Sequence, residues 1–468
     1  MSWAAGFAVI QSFVISSPGQ AASAAAARPD TVIVAAAGDF ATRLAWAEQT
    51  ARTNRYASYW VGWAIGGDPS GSRWFYVDRN RKDDERVRGY GGWSVSGSAG
   101  GLSFAGIDLP ALTGVRDAHD IAVLVRYETS GGRTTPVRVH AGSYAFPLLF
   151  DGGALLWLGG ATDAENVSRA RDAFATATDD EVRAGLVAAV GAARESAVAA
   201  PVLRGWLDDA RLSSGVRREA ASWLGYHPDR EGAAALTRVA RSDTSLTVRS
   251  AALRSLARSA PPATAVDVLI GIGRDDANPR VRREAVQALG AVDDERAFRA
   301  LVDLVERPAD TTQAAVRGEA MQVLARQARQ GQQVPQATID LFARVARSDP
   351  DTSVELRAVE ALIALRDERA TPVLISLVDS HPNGRVQARA VQGLARAQPP
   401  ADVLRALQRI VNEHARPETQ RAAVRSLVTV DDPAVRDVLA DMAEKHPRAE
   451  IRKAALDALV QLHSRSRG

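Results

Sequence analysis

The sequence predicts a two-part chain: a small mainly-β domain followed by an all-α solenoid of about nine helix pairs. Three observations carry that expectation. Composition changes sharply near residue 160; short β-branched and aromatic runs alternate with turn residues before that point; and one nine-residue block recurs after it. Twenty of the 26 aromatic residues lie within residues 1–157 and 22 of the 36 glycines precede residue 161, whereas the remainder is rich in Ala, Leu, Val and Arg. Such a shift marks a domain boundary. Across its 468 residues the chain is 46% hydrophobic and 24% charged, which excludes global disorder. It contains no cysteine, so a disulfide framework, a thiolate zinc site, a catalytic thiol and a lipidated cysteine are all excluded.

The first 27 residues carry no charged side chain. Trp3 to Ile15 form a mostly apolar run, shorter than the roughly 20 residues a bilayer span needs. A small-residue tract follows, in which Ala22-Ser23-Ala24 fits an A-x-A cleavage site. The segment reads as a secretory signal peptide without its basic n-region, the alternative being an Ala-rich tail. A periplasmic or secreted protein with no transmembrane segment in the mature chain is therefore expected; the alternative is a cytoplasmic one.

Residues 28–160 are expected to fold as a β-rich domain with one helix. Asp39 is placed to N-cap that helix, with Phe40, Leu44, Ala47 and Ala51 on one face. Strand-like runs follow at Tyr59–Ile65, Arg73–Asp78, Trp93–Ser96, Leu102–Ile107, Ile121–Tyr127, Val137–His140 and Ala154–Leu158. Gly66–Gly71 and Ser130-Gly131-Gly132 carry hairpin-turn chemistry. This pattern suggests a small antiparallel sandwich or open barrel. The aromatic cluster of Tyr56, Tyr59, Trp60, Trp63, Trp74, Tyr76, Tyr90 and Trp93 suits either a β core or a sugar- or peptide-binding face.

From residue 164 to 463 the block Val-Arg-x-x-Ala-x-x-x-Leu recurs, starting at Val182, Val216, Val248, Val281, Val316, Val354, Val386, Thr419 and Ile451. A second apolar-periodic stretch separates the copies, as at Ala233–Arg241, Ala265–Gly273, Ala297–Glu306, Thr338–Arg347 and Ala401–Glu413, and Pro- or Asp-rich turns bound both. Each unit is a helix pair, and the units stack because no pair buries its apolar face alone. With the first position counted as zero, positions 0, 4, 5 and 8 share one helical face. Position 4 is Ala in eight of the nine copies and position 8 is Leu in eight. A small residue and a buried Leu in fixed register are what close helix packing requires. Residues 464–468 read as a polar tail.

The blocks Val216-Arg217-Arg218-Glu219-Ala220-Ala221-Ser222-Trp223-Leu224-Gly225 and Val281–Gly290 resemble the HEAT-repeat family, in the short form seen in bilin-lyase-type repeats. The resemblance implies a right-handed, armadillo-like helical solenoid. It is specific for fold and nearly silent on function. It also implies that position 1, Arg in Arg183, Arg217, Arg249, Arg282, Arg317 and Arg452, pairs with an Asp in the preceding turn as a structural ladder. Asp179 or Asp180, Asp243, Asp275 or Asp276, and Asp310 are the expected partners. Glu355, Gln387 and Gln420 break that ladder, so weaker or altered stacking is expected around residues 350–420.

In such a solenoid the second helix of each pair lines the concave face. Arg218, Arg254, Arg283, Gln287, Gln322, Arg357, Glu360, Arg389, Gln392, Arg421 and Arg425 would then form a polar stripe, either a solvated face or a groove for a protein partner. Arginine's planar fork suits carboxylates.

Other functions lack support. The pI near 9.4 reflects an excess of only three charges, and the solenoid lacks an aromatic-rich basic face, so no nucleic-acid partner is expected. The seven histidines form no metal-ligand motif. No nucleophile elbow or phosphate loop occurs, so catalytic, cofactor-binding and metal residues are all assigned as none. His227, His381 and His446 each precede a proline, which places them at helix ends where a ring can bond terminal carbonyls.

The expected function is a non-enzymatic, exported scaffold for protein partners, with the β domain covering the N-terminal end of the solenoid. Two alternatives stand beside it. One is a lyase-like or enzyme-associated protein with a site in the β domain or at its junction with the first repeats, near Trp157, Trp206, Trp223 and Tyr226. The other is envelope-glycan binding through Trp60 and Trp93.

Overall fold

The computed structural model describes residues 31–35, 38–66, 76–80, 120–143, 153–306, 314–330, 334–396 and 400–465. The expected signal peptide, the strand runs at 93–96 and 102–107, the first half of the run at 73–78 and most of the turn at 66–71 lie outside them. The chain forms two compact units, Met1–Ser259 and Ala260–Gly468.

The first unit begins with β1 (Thr31–Val34), α1 (Phe40–Thr53), β2 (Ser58–Ile65), β3 (Tyr76–Asn80), β4 (Ile121–Ser130), β5 (Arg133–Ser143) and β6 (Ala154–Gly160). Asp39 caps α1 as expected, its carboxylate accepting the Thr42 N–H at 2.7 Å, and Phe40, Ala47 and Ala51 are buried. The β4–β5 hairpin turns on Gly131 and Gly132, both at positive φ (59° and 76°), the geometry a two-residue primed turn requires.

The described strands make one six-stranded sheet in the order β1-β6-β2-β4-β5-β3. It is mixed, because β6 runs parallel to both β1 and β2 while β2, β4, β5 and β3 pair antiparallel. The mainly-β character is as expected, but the strands do not divide into the two antiparallel layers of a sandwich. The parallel half depends on β1, whose Thr-Val-Ile-Val run is only four residues long, and on α1 as the crossover that parallel strands need. Central position explains burial: β2 lies between β6 and β4, and Trp60 and Trp63 are fully buried. Of the cluster, Tyr59, Trp60 and Trp63 are therefore buried, while Tyr56 is half-buried.

Three helix pairs complete the unit: α2 (Asp163–Thr176) with α3 (Asp180–Gly191), α4 (Ser196–Asp208) with α5 (Ser214–Leu224), and α6 (Arg230–Ser242) with α7 (Leu246–Ser259). Sheet and helices share buried polar links. The Trp63 indole donates to Asn166 Oδ1 at 2.9 Å, and Asn166 Nδ2 donates to the Ala189 carbonyl at 2.9 Å. From α1, the Arg43 guanidinium donates to the carbonyls of Leu158 and Gly160 at the end of β6. The sheet thus packs on the first pair, through β3 and β5 against α3.

The second unit holds α8 (Pro262–Asp275), α9 (Pro279–Leu289), α10 (Glu295–Glu306), α11 (Ala314–Gln330), α12 (Gln336–Ser348), α13 (Thr352–Leu365), α14 (Ala370–Ser380), α15 (Gly384–Leu394), α16 (Pro400–Glu413), α17 (Pro417–Leu427), α18 (Val435–Lys445) and α19 (Ala449–Arg465). With α2 to α7 these make nine pairs among the described residues, as the sequence predicts. Each block sits in a second helix. Its first position is buried in every copy, and the position-8 leucines from Leu224 to Leu427 are buried to within 1%. Removing one to Ala costs about 2–5 kcal/mol.

Successive second helices also interlock at position 9. A Cβ on Gly191 would run into Trp223, one on Gly225 would stand 2.7 Å from Ser255, and one on Gly290 would run into Val323. Each clash is with position 7 of the next copy. Between α13 and α15 the roles reverse: position 9 is Ile363, and the small partner is Gly393 at position 7. In each of these contacts one side is glycine, while the other ranges from Ser255 to Trp223.

Candidate functional site

The ladder arginines decide which side chains remain available to a partner. Arg183 meets Asp180 at 3.3 Å, as expected. Arg217 takes its carboxylate from elsewhere than the preceding turn, and Asp310, the expected partner of Arg317, lies outside the described residues. Arg249 Nε donates to the Ala240 carbonyl at 2.8 Å, Arg282 to the Asp276 carbonyl at 2.7 Å, and Arg452 to the carbonyls of His446 and Pro447. These arginines close the C-terminal carbonyls of the first helix in their own pair, which otherwise lack donors. Two of the arginines reach a carboxylate in the following turn: Arg217 pairs with Asp243 and Arg317 with Asp349. The second helix precedes that turn by one pair, so its guanidinium points forward along the stack. Arg317 joins both functions, binding the Val305 carbonyl at 2.8 and 3.1 Å and the buried Asp349 carboxylate.

Where arginine is missing, histidine takes over. At positions occupied elsewhere by Asp243, Asp276 and Asp349 stand His381, His414 and His446. Each aspartate accepts the N–H two residues on, and each histidine Nδ1 does the same at 3.1–3.2 Å. Nε2 is then the protonated nitrogen. It donates to Glu355 at 3.2 Å from His381, to the Val378 carbonyl at 3.0 Å from His414, and to the Val411 carbonyl at 3.3 Å from His446. His227 likewise reaches the Gly191 carbonyl at 3.0 Å. The stacking expected to change near residues 350–420 is altered in its donors but not left without them.

Much of the predicted polar stripe is occupied by contacts between repeats. Gln287 donates to Glu319 at 2.9 Å, Arg389 pairs with Glu360 at 3.1 Å, and Arg421 pairs with Glu450 at 3.0 Å. Arg357 also meets Glu360 at 3.0 Å, and Arg218 lies 3.9 Å from Glu219. Arg254, Arg283 and Gln322 are exposed and do not border a described cleft.

Four stripe residues do converge. Glu360, Arg389, Gln392 and Arg425 line a cleft of about 690 Å³ across α13, α15 and α17, together with Arg329, Arg366 and Arg396. Five arginines thus face one glutamate, and Glu360 is already shared by Arg357 and Arg389. The remaining lining is aliphatic or hydroxylic (Ile363, Ala364, Ala422, Ser426 and Thr429) and contains no aromatic ring. Sequence reasoning missed Arg329, Arg366 and Arg396 because they lie just beyond the nine-residue block, where a column reading stops. Arg366 carries a further signal: it ends α13 at φ 53°, a left-handed conformation that usually falls to glycine. Holding a non-glycine residue there costs about 1–3 kcal/mol.

The aromatics expected at the junction serve packing. Trp157 is fully buried, Trp206 stacks on Phe174 with centroids 4.3 Å apart, and the Trp223 indole donates to Glu219 at 2.9 Å. Trp60, on which glycan binding depended, is fully buried beneath Arg138 because β2 is an interior strand. Trp93 lies outside the described residues. Among the described residues no group of three or more His, Asp or Glu is placed to hold a metal ion, and no helix is long and apolar enough to cross a membrane.

Solved structures similar to the chain include human deoxyhypusine hydroxylase (17% identity, 57% of this chain and 96% of that one, TM-score 0.25) and an engineered protein (22% identity, 64% and 88%, TM-score 0.28). Kap121p is 15% identical in a mutant form, over 62% of this chain and 37% of its own, with TM-score 0.41. No curated protein sequence matches. The HEAT-repeat family model matches residues 212–277, 247–316, 309–395 and 371–460. These matches together span more than half of the chain, which belongs to the HEAT-repeat family.

Proposed function

We propose that the protein is a non-enzymatic scaffold that holds an acidic protein segment in the arginine-lined cleft across α13, α15 and α17. The observation that carries this reading is the charge of the cleft, five arginines around one engaged glutamate. In HEAT solenoids the second helices line the concave surface, which gives an extended segment a continuous track. Arginine forks pair carboxylates in bidentate fashion. The absence of a ring in the lining favours a peptide over single-stranded nucleic acid, which binds largely by stacking on aromatic side chains. Without an aromatic anchor, affinity rests on charge and falls with salt.

The test is fluorescence anisotropy with a labelled Glu/Asp-rich dodecapeptide. Binding is expected to weaken steeply between 50 and 300 mM salt and to be lost in Arg366→Glu/Arg425→Glu. Equal binding by wild type and double variant, or by a charge-scrambled Lys-rich peptide, would sink the reading. Export is part of the same proposal, supported by the apolar run and Ala22-Ser23-Ala24; an uncleaved N-terminus on chain recovered from the native envelope fraction would count against it.

A further inference from the structure

A second cleft lies wholly within the first unit, where α1, α2 and one edge of the β2–β4–β5 region meet. It encloses about 860 Å³. Two helical periodicities build it: Glu48, Ala51, Arg52 and Arg55 lie three and four apart on α1 and its end, and Arg169, Asp172, Ala173 and Thr176 do the same on α2. The floor is a pair of stacked tyrosines from adjacent strands, Tyr59 and Tyr127, with centroids 5.7 Å apart. Thr129 and Thr134, hydrogen-bonded to each other at 2.9 Å, close the hairpin side.

Three features of this cleft go beyond packing. Tyr127 is only 5% exposed and lines the cleft, and its buried hydroxyl oxygen meets the Arg169 side chain, which leaves the O–H itself without an acceptor among the described residues. Burial pushes its pKa up, with the nearby Arg169 charge opposing, so the group is a neutral O–H donor. Arg169 lies over the Tyr127 ring at 5.3 Å and 3.6 Å from Glu48, and its buried Nε–H likewise lacks an acceptor among the described residues. At the rim, Arg55 holds a left-handed conformation at φ 54°. Arg55 and Arg366 are the non-glycine residues with positive φ among the described ones, and each lines a cleft.

Two buried donors without acceptors, next to tyrosine faces and two further arginines, call for a ligand that brings an anionic acceptor and a ring. We infer that this cleft binds a small ring compound bearing a carboxylate, with the carboxylate on Tyr127 and Arg169 and the ring against Tyr59. An acidic sugar and an aromatic acid share that chemistry, and binding assays separate them.

The experiment is calorimetric titration of the full chain with glucuronate and with 4-hydroxybenzoate, using glucose and inorganic phosphate as controls. One of the two ring carboxylates is expected to bind more tightly than either control, and its identity assigns the source. Tyr127→Phe, which keeps the ring and the packing, is expected to weaken it by about ten-fold through loss of one hydrogen bond to a charged group. Glu48→Gln, which frees Arg169 from a competing carboxylate, is expected to tighten it. A purely structural role for Glu48 predicts no such gain. The inference fails if phosphate or glucose binds as well as the ring carboxylates, if neither ring carboxylate binds at millimolar concentration, or if Tyr127→Phe leaves affinity unchanged. None of these results bears on the acidic-peptide cleft, which lies in the other unit.

Discussion

Two consecutive junctions in the second unit make the same connection with opposite chemistry. In one, Arg317 reaches forward to Asp349; in the next, Glu355 receives His381. Donor and carboxylate have exchanged sides, and both pairs are buried, with side chains no more than 8% exposed. The requirement at this point of the stack is a complementary hydrogen-bonded pair, not a particular residue. Further along, Gln387 and Gln420 have no guanidinium to offer, and the carbonyls of Val378 and Val411 are met instead by His414 and His446 from the next turn. A buried carbonyl must have a donor, and the neighbouring pair supplies it when the home pair does not.

The largest expected effect tests the first junction. Arg317→Ala leaves the Asp349 carboxylate buried without its partner and the Val305 carbonyl without a donor, so unfolding stability should fall by about 3–5 kcal/mol. Urea denaturation measures it, and a loss below 1 kcal/mol would mean that the pair is not a principal contact. An exchange at the second junction is more discriminating. Glu355→Arg alone sets a guanidinium against His381, and His381→Asp alone sets two carboxylates together. The double variant rebuilds the arginine–aspartate form, so it should be more stable than the sum of the singles by about 0.5–3 kcal/mol. Strict additivity in that double-mutant cycle would refute the equivalence of the two junctions.

The smallest effect is at the surface, where the same residue types carry no such weight. Asp209 is held down to about 2 by the Arg211 side chain and then by its backbone N–H; Asp209 is half-buried and Arg211 exposed. A depressed carboxylate adds stability above its unfolded value near 3.8 and loses it as the pH falls toward 2. Arg211→Ala should therefore differ slightly from wild type at pH 5 and not at pH 2, as read from thermal midpoints at the two pH values. A large difference at pH 2 would show that Arg211 acts through packing.

How much of this was legible in the sequence differs between the two halves. The nine blocks mark the second helices because a buried face with a 3.6-residue period repeats whenever the same contact repeats. The ladder arginines were visible as a column, but their partners were not, since the choice between preceding and following turn depends on which way a guanidinium leaves its helix. Histidine substitution was legible only in part: His381, His414 and His446 stand five residues before their blocks, like Asp243, Asp276 and Asp349, but which acceptor each ring reaches was not. In the N-terminal half the hairpin turn and the α1 cap were legible from local chemistry. The parallel placement of β6 between β1 and β2 was not, because no local signal states which distant strand is a neighbour.

The sequence by itself therefore determined what is local and repeated: the helix pairs, their buried valine, alanine and leucine columns, the α1 cap and the glycine turn. Those depend on backbone geometry and on one residue's own burial. Only the tertiary structure decided which donors meet which carbonyls across repeats, that Trp60 is core, and that five arginines converge in one cleft while Tyr127 borders another. Each of these depends on side chains far apart in the chain, whose meeting is set by packing rather than by period.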